Sequence, residues 1–282
     1  MPLLDASRPL PLVAEAPAPA QADKVRMVGA GRDFAVRGTT IRALLPTDLH
    51  VRPMEFVALV GPSGCGKSTV LNMIAGLLAP STGQVLYDGA PVTGPNHRVG
   101  YMTQKDTLLP WRNTVDNIGV ALELRCRTTS RAERAERVAQ MIDVMGLRGF
   151  ERHFPNELSG GMRKRVALAR TLIYEPEMML MDEPFGALDA QLRLLMLDQL
   201  QRLTQARRIT VLFVTHDLGE AITLADRIVV FSARPGSVRT IRANPIERPR
   251  DVFTVRFRPD FARLHEELWN ELKDEVAKGT DV

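Results

Sequence analysis

Short runs that are apolar at every position alternate with longer segments of helical spacing over most of this chain. Phe56-Val57-Ala58-Leu59-Val60, Met178-Met179-Leu180-Met181, Thr210-Val211-Leu212-Phe213-Val214 and Ile228-Val229-Val230-Phe231 are the clearest runs. A strand with one wet face alternates apolar and polar residues. These runs do not, so they predict strands covered on both faces, as in a parallel sheet. Segments of helical spacing between them, such as Ala190–Ala206, supply the cover and place the chain in the α/β class.

Residues 25–102 show β-rich runs broken by turn residues. The run at 56–60 passes into a Gly-rich loop and then a helix from Ser68 to Ala75, ended by Gly76. Residues of about 105–175 read as helical. Helices are predicted over 115–124 and 131–145, the second with Val138, Met141, Ile142 and Met145 on one face and Gly146 at its end. Ser159 is placed to cap a third helix that runs to about Tyr174, before Pro176. The helical stretch is thus inserted between two parts of one α/β core spanning 25–243. Residues 1–24 are rich in Pro and Ala and read as a flexible tail. Residues 244–282 read as a connector and an amphipathic helix. Phe261, Leu264, Leu268, Leu272 and Val276 form its apolar stripe, and Gly279 is its expected end.

Composition narrows the class. With 282 residues, 45% hydrophobic and 25% charged, there is ample material for a core. No run of 18 apolar residues occurs, so no membrane span is expected. The start of the chain lacks a basic-then-apolar leader, so the expected place is the cytosol, with any membrane role peripheral. Cys65 and Cys126 are far apart and form no Cys-x-x-Cys pair, which argues against a disulfide framework or a cysteine metal site. The net charge is +4, but Arg alternates with Glu in stretches such as 131–137, the pattern of a solvated helix face. No basic stretch is interleaved with aromatics, so nucleic acid is not an expected partner. Mild attraction to an anionic leaflet is the better expectation.

The chemistry begins in Gly61-Pro62-Ser63-Gly64-Cys65-Gly66-Lys67-Ser68, between a strand and a helix. Gly61, Gly64 and Gly66 let backbone N–H groups turn inward toward phosphate oxygens. Lys67 carries charge to the β- and γ-phosphates, and Ser68 offers a hydroxyl to Mg²⁺. Thr69 opens a helix whose N-terminus favours an anion. Pro62, Ser63 and Cys65 complete the loop, Cys65 as filler. Asp182 ends an apolar strand, where its carboxylate can hold Mg²⁺ largely through water. Glu183 next to it is the expected general base for the attacking water.

Leu158-Ser159-Gly160-Gly161-Met162 lies between the phosphate loop and the acidic pair. With this pentapeptide the sequence resembles the ATP-binding subunits of ABC transporters, over roughly residues 25–243. The resemblance implies a P-loop ATPase core with an antiparallel β subdomain and an inserted α-helical subdomain. It also implies a dimer, in which Ser159, Gly160 and Gly161 close over ATP held by the partner's phosphate loop. Four further roles come only from the resemblance. Gln104 touches Mg²⁺ and the lytic water. His216, in Thr215-His216-Asp217, bonds the γ-phosphate. Asp189, in Ala187-Leu188-Asp189, lies in the dimer-contact loop, where it also suits a helix cap. Phe34 stacks on adenine. Met162 departs from the commoner Gln at the fifth signature position, and Arg163, Lys164 and Arg165 keep the basic helix start.

The segment Gln104-Lys105-Asp106-Thr107-Leu108-Leu109-Pro110-Trp111-Arg112, with Phe231-Ser232-Ala233-Arg234-Pro235-Gly236, is similar to the nitrate, sulfonate, taurine and bicarbonate importer group. That resemblance implies integral membrane permease subunits as partners at the cytoplasmic face of the inner membrane, and a solute-binding protein indirectly. Leu109 and Trp111 are then candidates for the permease groove. Alternatives stay open at this point: the ATPase of an exporter or lipid-transport system, a soluble ABC ATPase, or a nucleotide sensor without turnover. The last is opposed by the presence of both Glu183 and His216.

Overall fold

Consecutive residues of the central strands point into two different cores. In the computed structural model, which describes residues 22–36, 38–125 and 129–280, strand β3 (Phe56–Val60) is buried at all of its positions. Phe56, Ala58 and Val60 join one apolar cluster, and Val57 and Leu59 join another. The same division holds in β7 (Met178–Asp182), β8 (Thr210–Val214) and β9 (Arg227–Phe231). A period of two on a sheet with both faces covered requires this continuous apolar run. The expectation of a doubly covered parallel sheet therefore holds.

That sheet has six strands in the order β10-β9-β3-β8-β7-β6, with β6 at Val99–Met102 and β10 at Val238–Ala243. All neighbours pair in parallel except β10, which runs antiparallel to β9 at the edge. One face meets α1 (Lys67–Ile74) and a second sheet, ordered β2-β1-β4-β5. Its strands are β1 (Val25–Val36), β2 (Thr39–Val51), β4 (Thr82–Tyr87) and β5 (Ala90–Pro91), and all their pairings are antiparallel. The short runs expected in this region are in fact 12 and 13 residues long in β1 and β2. Their turn-forming residues sit at bulges instead of breaks: register shifts flank Ala30, and Gly29 takes a positive φ of 53°.

Helices α2 (Thr114–Arg125), α3 (Arg131–Val144) and α4 (Gly160–Leu172) lie between β6 and β7 in sequence and form the inserted helical region. Val138, Met141, Ile142 and Met145 are buried on one face, as their spacing predicts. Cys126 and residues 1–21 of the tail expected at 1–24 fall outside the described residues, while Lys24, the last residue of that expected tail, is buried and belongs to the folded core. Helices α5 (Ala190–Ala206) and α6 (Leu218–Leu224) cover the same sheet face as the insertion.

The last helix, α7 (Pro259–Thr280), is no appendage. Phe261, Leu264, Leu268 and Leu272 are buried in the core under the main sheet, together with Ile246, Val252 and Val255 of the connector. The helix runs through Gly279, which sits in its last turn; one glycine there costs only about 1 kcal/mol. Lys24, Asp88, Arg98 and Glu177 tie the antiparallel sheet to the starts of the core strands. Arg98 donates to Glu177 twice, at 2.9 and 2.6 Å, and Lys24 donates to Glu177 at 2.5 Å and Asp88 at 2.9 Å.

Candidate functional site

Parallel strands leave their loops at one edge, and the residues singled out in the sequence gather there. A cleft of about 380 Å³ is lined by Phe34, Ala43, Ser63, Gly64, Gly66, Lys67, Ser68, Thr69, Gln104, Asp182, Glu183 and Arg234. Gly64 and Gly66 adopt φ of 75° and 99°, in the left-handed region open to glycine. A side chain on Gly66 would also meet the Ala43 carbonyl at 2.9 Å. These two glycines let the chain curl in front of α1.

Lys67 is almost fully buried, and its ammonium donates to the carbonyls of Gly61 at 2.8 Å and Pro62 at 2.7 Å. The loop thus holds a cation at its centre by its own backbone. Cys65 is fully buried, and its sulfur lies 3.5 Å from the same ammonium. Gly61, Pro62 and Cys65 shape the loop from behind and do not line the cleft.

Asp182 stands at the tip of β7, with the Ser68 hydroxyl beside its carboxylate. Burial raises its pKa; the Ser68 hydroxyl opposes this, the Glu183 charge adds to it and Lys67 opposes it. Among the described residues no group of three His, Cys, Asp or Glu could hold a metal ion unaided. A carboxylate beside a hydroxyl suits Mg²⁺ all the same, because Mg²⁺ keeps several waters and takes one or two protein oxygens with those of the phosphates.

Glu183 has a positive φ of 44°, uncommon for a residue with a side chain, and its N–H is held by the Val214 carbonyl at 3.0 Å. Its Oε2 lies 3.4 Å from the Gln104 amide nitrogen and 3.3 Å from Nδ1 of His216. His216 rides on a tight turn between β8 and α6. The Thr215 hydroxyl donates to buried Glu220 at 2.6 Å, and Asp217 caps α6 by accepting from the N–H groups of Gly219 and Glu220. Gln104 and His216, from the loops after the strands on either side of β7, therefore converge on one Glu183 oxygen.

Phe34 lines the cleft, and the Arg32 guanidinium covers one ring face at 4.9 Å from the centroid. Ser159 caps α4 by accepting from the Met162 N–H at 3.3 Å, and Asp189 caps α5 by accepting from the Leu192 N–H at 2.9 Å. Ser159, Gly160, Gly161 and Asp189 are not among the cleft residues of their own chain.

Two contributors escaped sequence reasoning. Lys164 is buried and donates to the Gln104 carbonyl at 2.6 Å, and it pairs with Asp106 at 2.7 Å, so α4 holds the Gln104 loop. Its basic neighbours hid it, since nothing in Arg-Lys-Arg says which cation turns inward. Arg234 lines the cleft from the loop after β9. It stood in a segment noted for resemblance, with no chemical signal of its own.

The sequence profile of the ABC transporter family matches residues 44–186. The ABC transporter ATP-binding protein MJ0412 of Methanocaldococcus jannaschii is 44% identical over 255 residues, covering 90% of this chain and 93% of the relative. The nitrate import ATP-binding protein NrtC of Synechococcus elongatus is 41% identical over 83% of this chain, which spans 36% of that longer protein. The aliphatic sulfonates import ATP-binding protein SsuB of Bacillus cereus is 37% identical, covering 83% of this chain and 91% of the relative. The ATP-binding cassette MJ0796, solved as a dimer in a post-hydrolysis state bound to ADP and Pi, superposes with a TM-score of 0.72 at 30% identity, over 79% of this chain and all of that one. With such relatives and the family profile over half its length, this chain belongs to the ABC transporter family, as an ATP-binding chain that hydrolyses ATP with Mg²⁺.

Proposed function

We propose that the chain is the ATPase subunit of an importer for a small anionic solute, of the nitrate, sulfonate, taurine or bicarbonate kind. The observation that carries the mechanism is the position of Ser159. It caps a helix N-terminus whose amides suit an anion, yet it does not line its own chain's cleft. Two copies facing each other would set each Ser159-Gly160-Gly161 over the other's phosphate loop. A dimer with two shared sites follows, with Asp189 at the contact. In this reading Mg²⁺ offsets phosphate charge when ATP is bound. Gly64, Gly66 and Lys67 hold the phosphates, Ser68 and Asp182 face the metal side, and Phe34 meets the base. Glu183 takes a proton from the attacking water, which Gln104 touches, while His216 bonds the γ-phosphate.

Closure does work only if ATP binds the closed dimer more tightly than the open one. The work would pass to integral membrane permease subunits at the cytoplasmic face of the inner membrane, and through them to a solute-binding protein. No described helix is long and apolar enough to cross a membrane itself. Trp111 supports a docking role: it is 72% exposed, so it does not serve to pack the helical region. Its segment is stiffened by buried Asn117, which accepts from the Leu109 N–H at 2.8 Å and donates to the Arg112 carbonyl at 2.7 Å. The anionic solute class is supported by the nitrate and sulfonate import relatives.

The dimer is tested by light scattering of the Glu183→Gln variant with ATP. ATP-dependent dimers that vanish when Ser159→Arg is added support the reading. Tight ATP binding with no dimer, alone or with the permease present, overturns it. Nitrate, taurine and sulfonate uptake by vesicles carrying the whole transporter tests the solute.

A further inference from the structure

A chain of contacts leads from the terminal helix to the nucleotide cleft. Glu275 on α7 is buried, with 5% exposure. It accepts from the backbone N–H of Ala233 at 2.8 Å and from Arg239 at 2.6 Å, at the base of the loop joining β9 to β10. The loop is closed by Ser232 N–H to the Ser237 carbonyl at 3.0 Å. Its far side is fixed as well. Gly236 exchanges hydrogen bonds with β2, donating to Ala43 at 3.1 Å and accepting from Leu45 at 2.8 Å. A Cβ on Gly236 would fall 1.7 Å from the carbonyl oxygen of Cys65, so this turn is seated on the phosphate loop itself. Between these anchors the exposed side chain of Arg234 lines the cleft beside Lys67 and Phe34.

Strand order says which end of the nucleotide it faces. β3 delivers the phosphate loop. β8, β7 and β6 lie to one side and bring His216, Asp182, Glu183 and Gln104, the γ-phosphate end in the reading above. β9 lies on the other side and brings Arg234. A guanidinium there faces the α-phosphate and ribose, and its planar donors suit phosphate oxygens.

We propose that Arg234 is a further nucleotide-binding residue, acting on the α-phosphate end, and that Glu275 is a positioning residue that makes α7 part of the ATP site. The inference rests on ATP occupying this cleft. The test titrates the full-length chain with Mg²⁺-ATP and Mg²⁺-ADP by calorimetry. Arg234→Ala should weaken both nucleotides by the same factor, about tenfold, as for loss of one charge-assisted hydrogen bond. Arg234→Lys should recover part of the loss, and kcat at saturating ATP should hold while KM rises. Glu275→Gln should weaken both nucleotides less, and add nothing in the Arg234→Ala background. Arg234 sits on an exposed loop, so its variants fold even if Glu275→Gln does not. A loss confined to ATP overturns the assignment to the α-phosphate end. Unchanged binding in Arg234→Ala, while Lys67→Ala abolishes binding, overturns the contact. An additive loss in the double variant overturns the positioning role. Unchanged binding in Lys67→Ala overturns the cleft assignment, and this inference with it.

Discussion

His216 Nδ1 lies 3.3 Å from Glu183 Oε2, although the two residues follow different strands. β7 and β8 are parallel neighbours, and Asp182 pairs with Val214, so Glu183 one residue on and His216 two residues on leave the sheet side by side. The backbone enforces the meeting through the Glu183 N–H to Val214 carbonyl bond. Glu183→Gln keeps the shape and removes the proposed base. The expected result is a kcat lower by about 10²- to 10⁴-fold, the usual worth of general-base help, with ATP affinity retained. Single-turnover hydrolysis with a parallel binding titration checks it. An unchanged kcat would remove Glu183 from the chemistry.

Lys164 offers a test of how Gln104 is held. Its ammonium is buried against the Gln104 carbonyl and Asp106, while Arg163 also approaches Asp106, at 3.5 Å. Lys164→Met keeps most of the volume and strands Asp106 with a weaker partner. Breaking a buried charged contact by removing one partner typically costs about 3–5 kcal/mol, and the partner's partial exposure puts this case at or below the low end. The melting temperature should fall, and kcat should fall with it because the Gln104 loop loses its anchor. If stability drops while kcat stays, the anchor is structural only.

Much of the fold was legible because its signal is local. Apolar runs such as Met178-Met179-Leu180-Met181 need no partner to announce a doubly covered strand, and the glycines of the phosphate loop announce a curled backbone. Phe34 was harder to read, since an aromatic at a strand end looks the same in a core or a cleft, and only tertiary structure brings β1 beside the loop. Arg234 and Lys164 were illegible for the same reason: one is a loop cation among 37 Lys and Arg residues, the other a buried cation in a basic run. The role of α7 was half legible. Its stripe foretold burial, but Glu275 on the flank of that stripe is what reaches the loop after β9.

Acid should weaken the joint between the two sheets. The Glu177 carboxyl is held from its ordinary 4.5 down to about 2, chiefly by its hydrogen bonds from Arg98, with burial opposing and Lys24 assisting. A folded-state pKa below the unfolded value adds stability that is fully present above about 4.5 and is lost as pH falls toward 2. Glu177 is 44% exposed, so solvent screening limits the contribution to about 1 kcal/mol. Wild type should melt above Glu177→Gln by a constant margin near neutral pH. That margin should shrink as pH is lowered through the 4.5 to 2 window. A margin independent of pH would mean that the charge does not contribute.

Gly161 separates packing from chemistry in the signature. A Cβ at this position would lie 2.1 Å from one methyl of Leu192 and 3.0 Å from its Cγ, so α4 and α5 approach closely here because the side chain is absent. Leu192 also takes the cap from Asp189, which links the signature helix to the proposed dimer-contact loop by direct packing. Gly161→Ala should therefore destabilise the fold by about 1–3 kcal/mol, the range for overpacking a tight contact, unless Leu192 turns aside. Leu192→Ala in the same chain makes room and should restore the melting temperature. The added methyl points at α5, so only the Gly161 backbone is left to meet the partner's nucleotide in the proposed dimer, and ATPase activity should return with stability in the repacked double variant; stability without turnover would give the position a part in the shared site as well. Recovery of both stability and turnover would show that this glycine serves only the contact between α4 and α5.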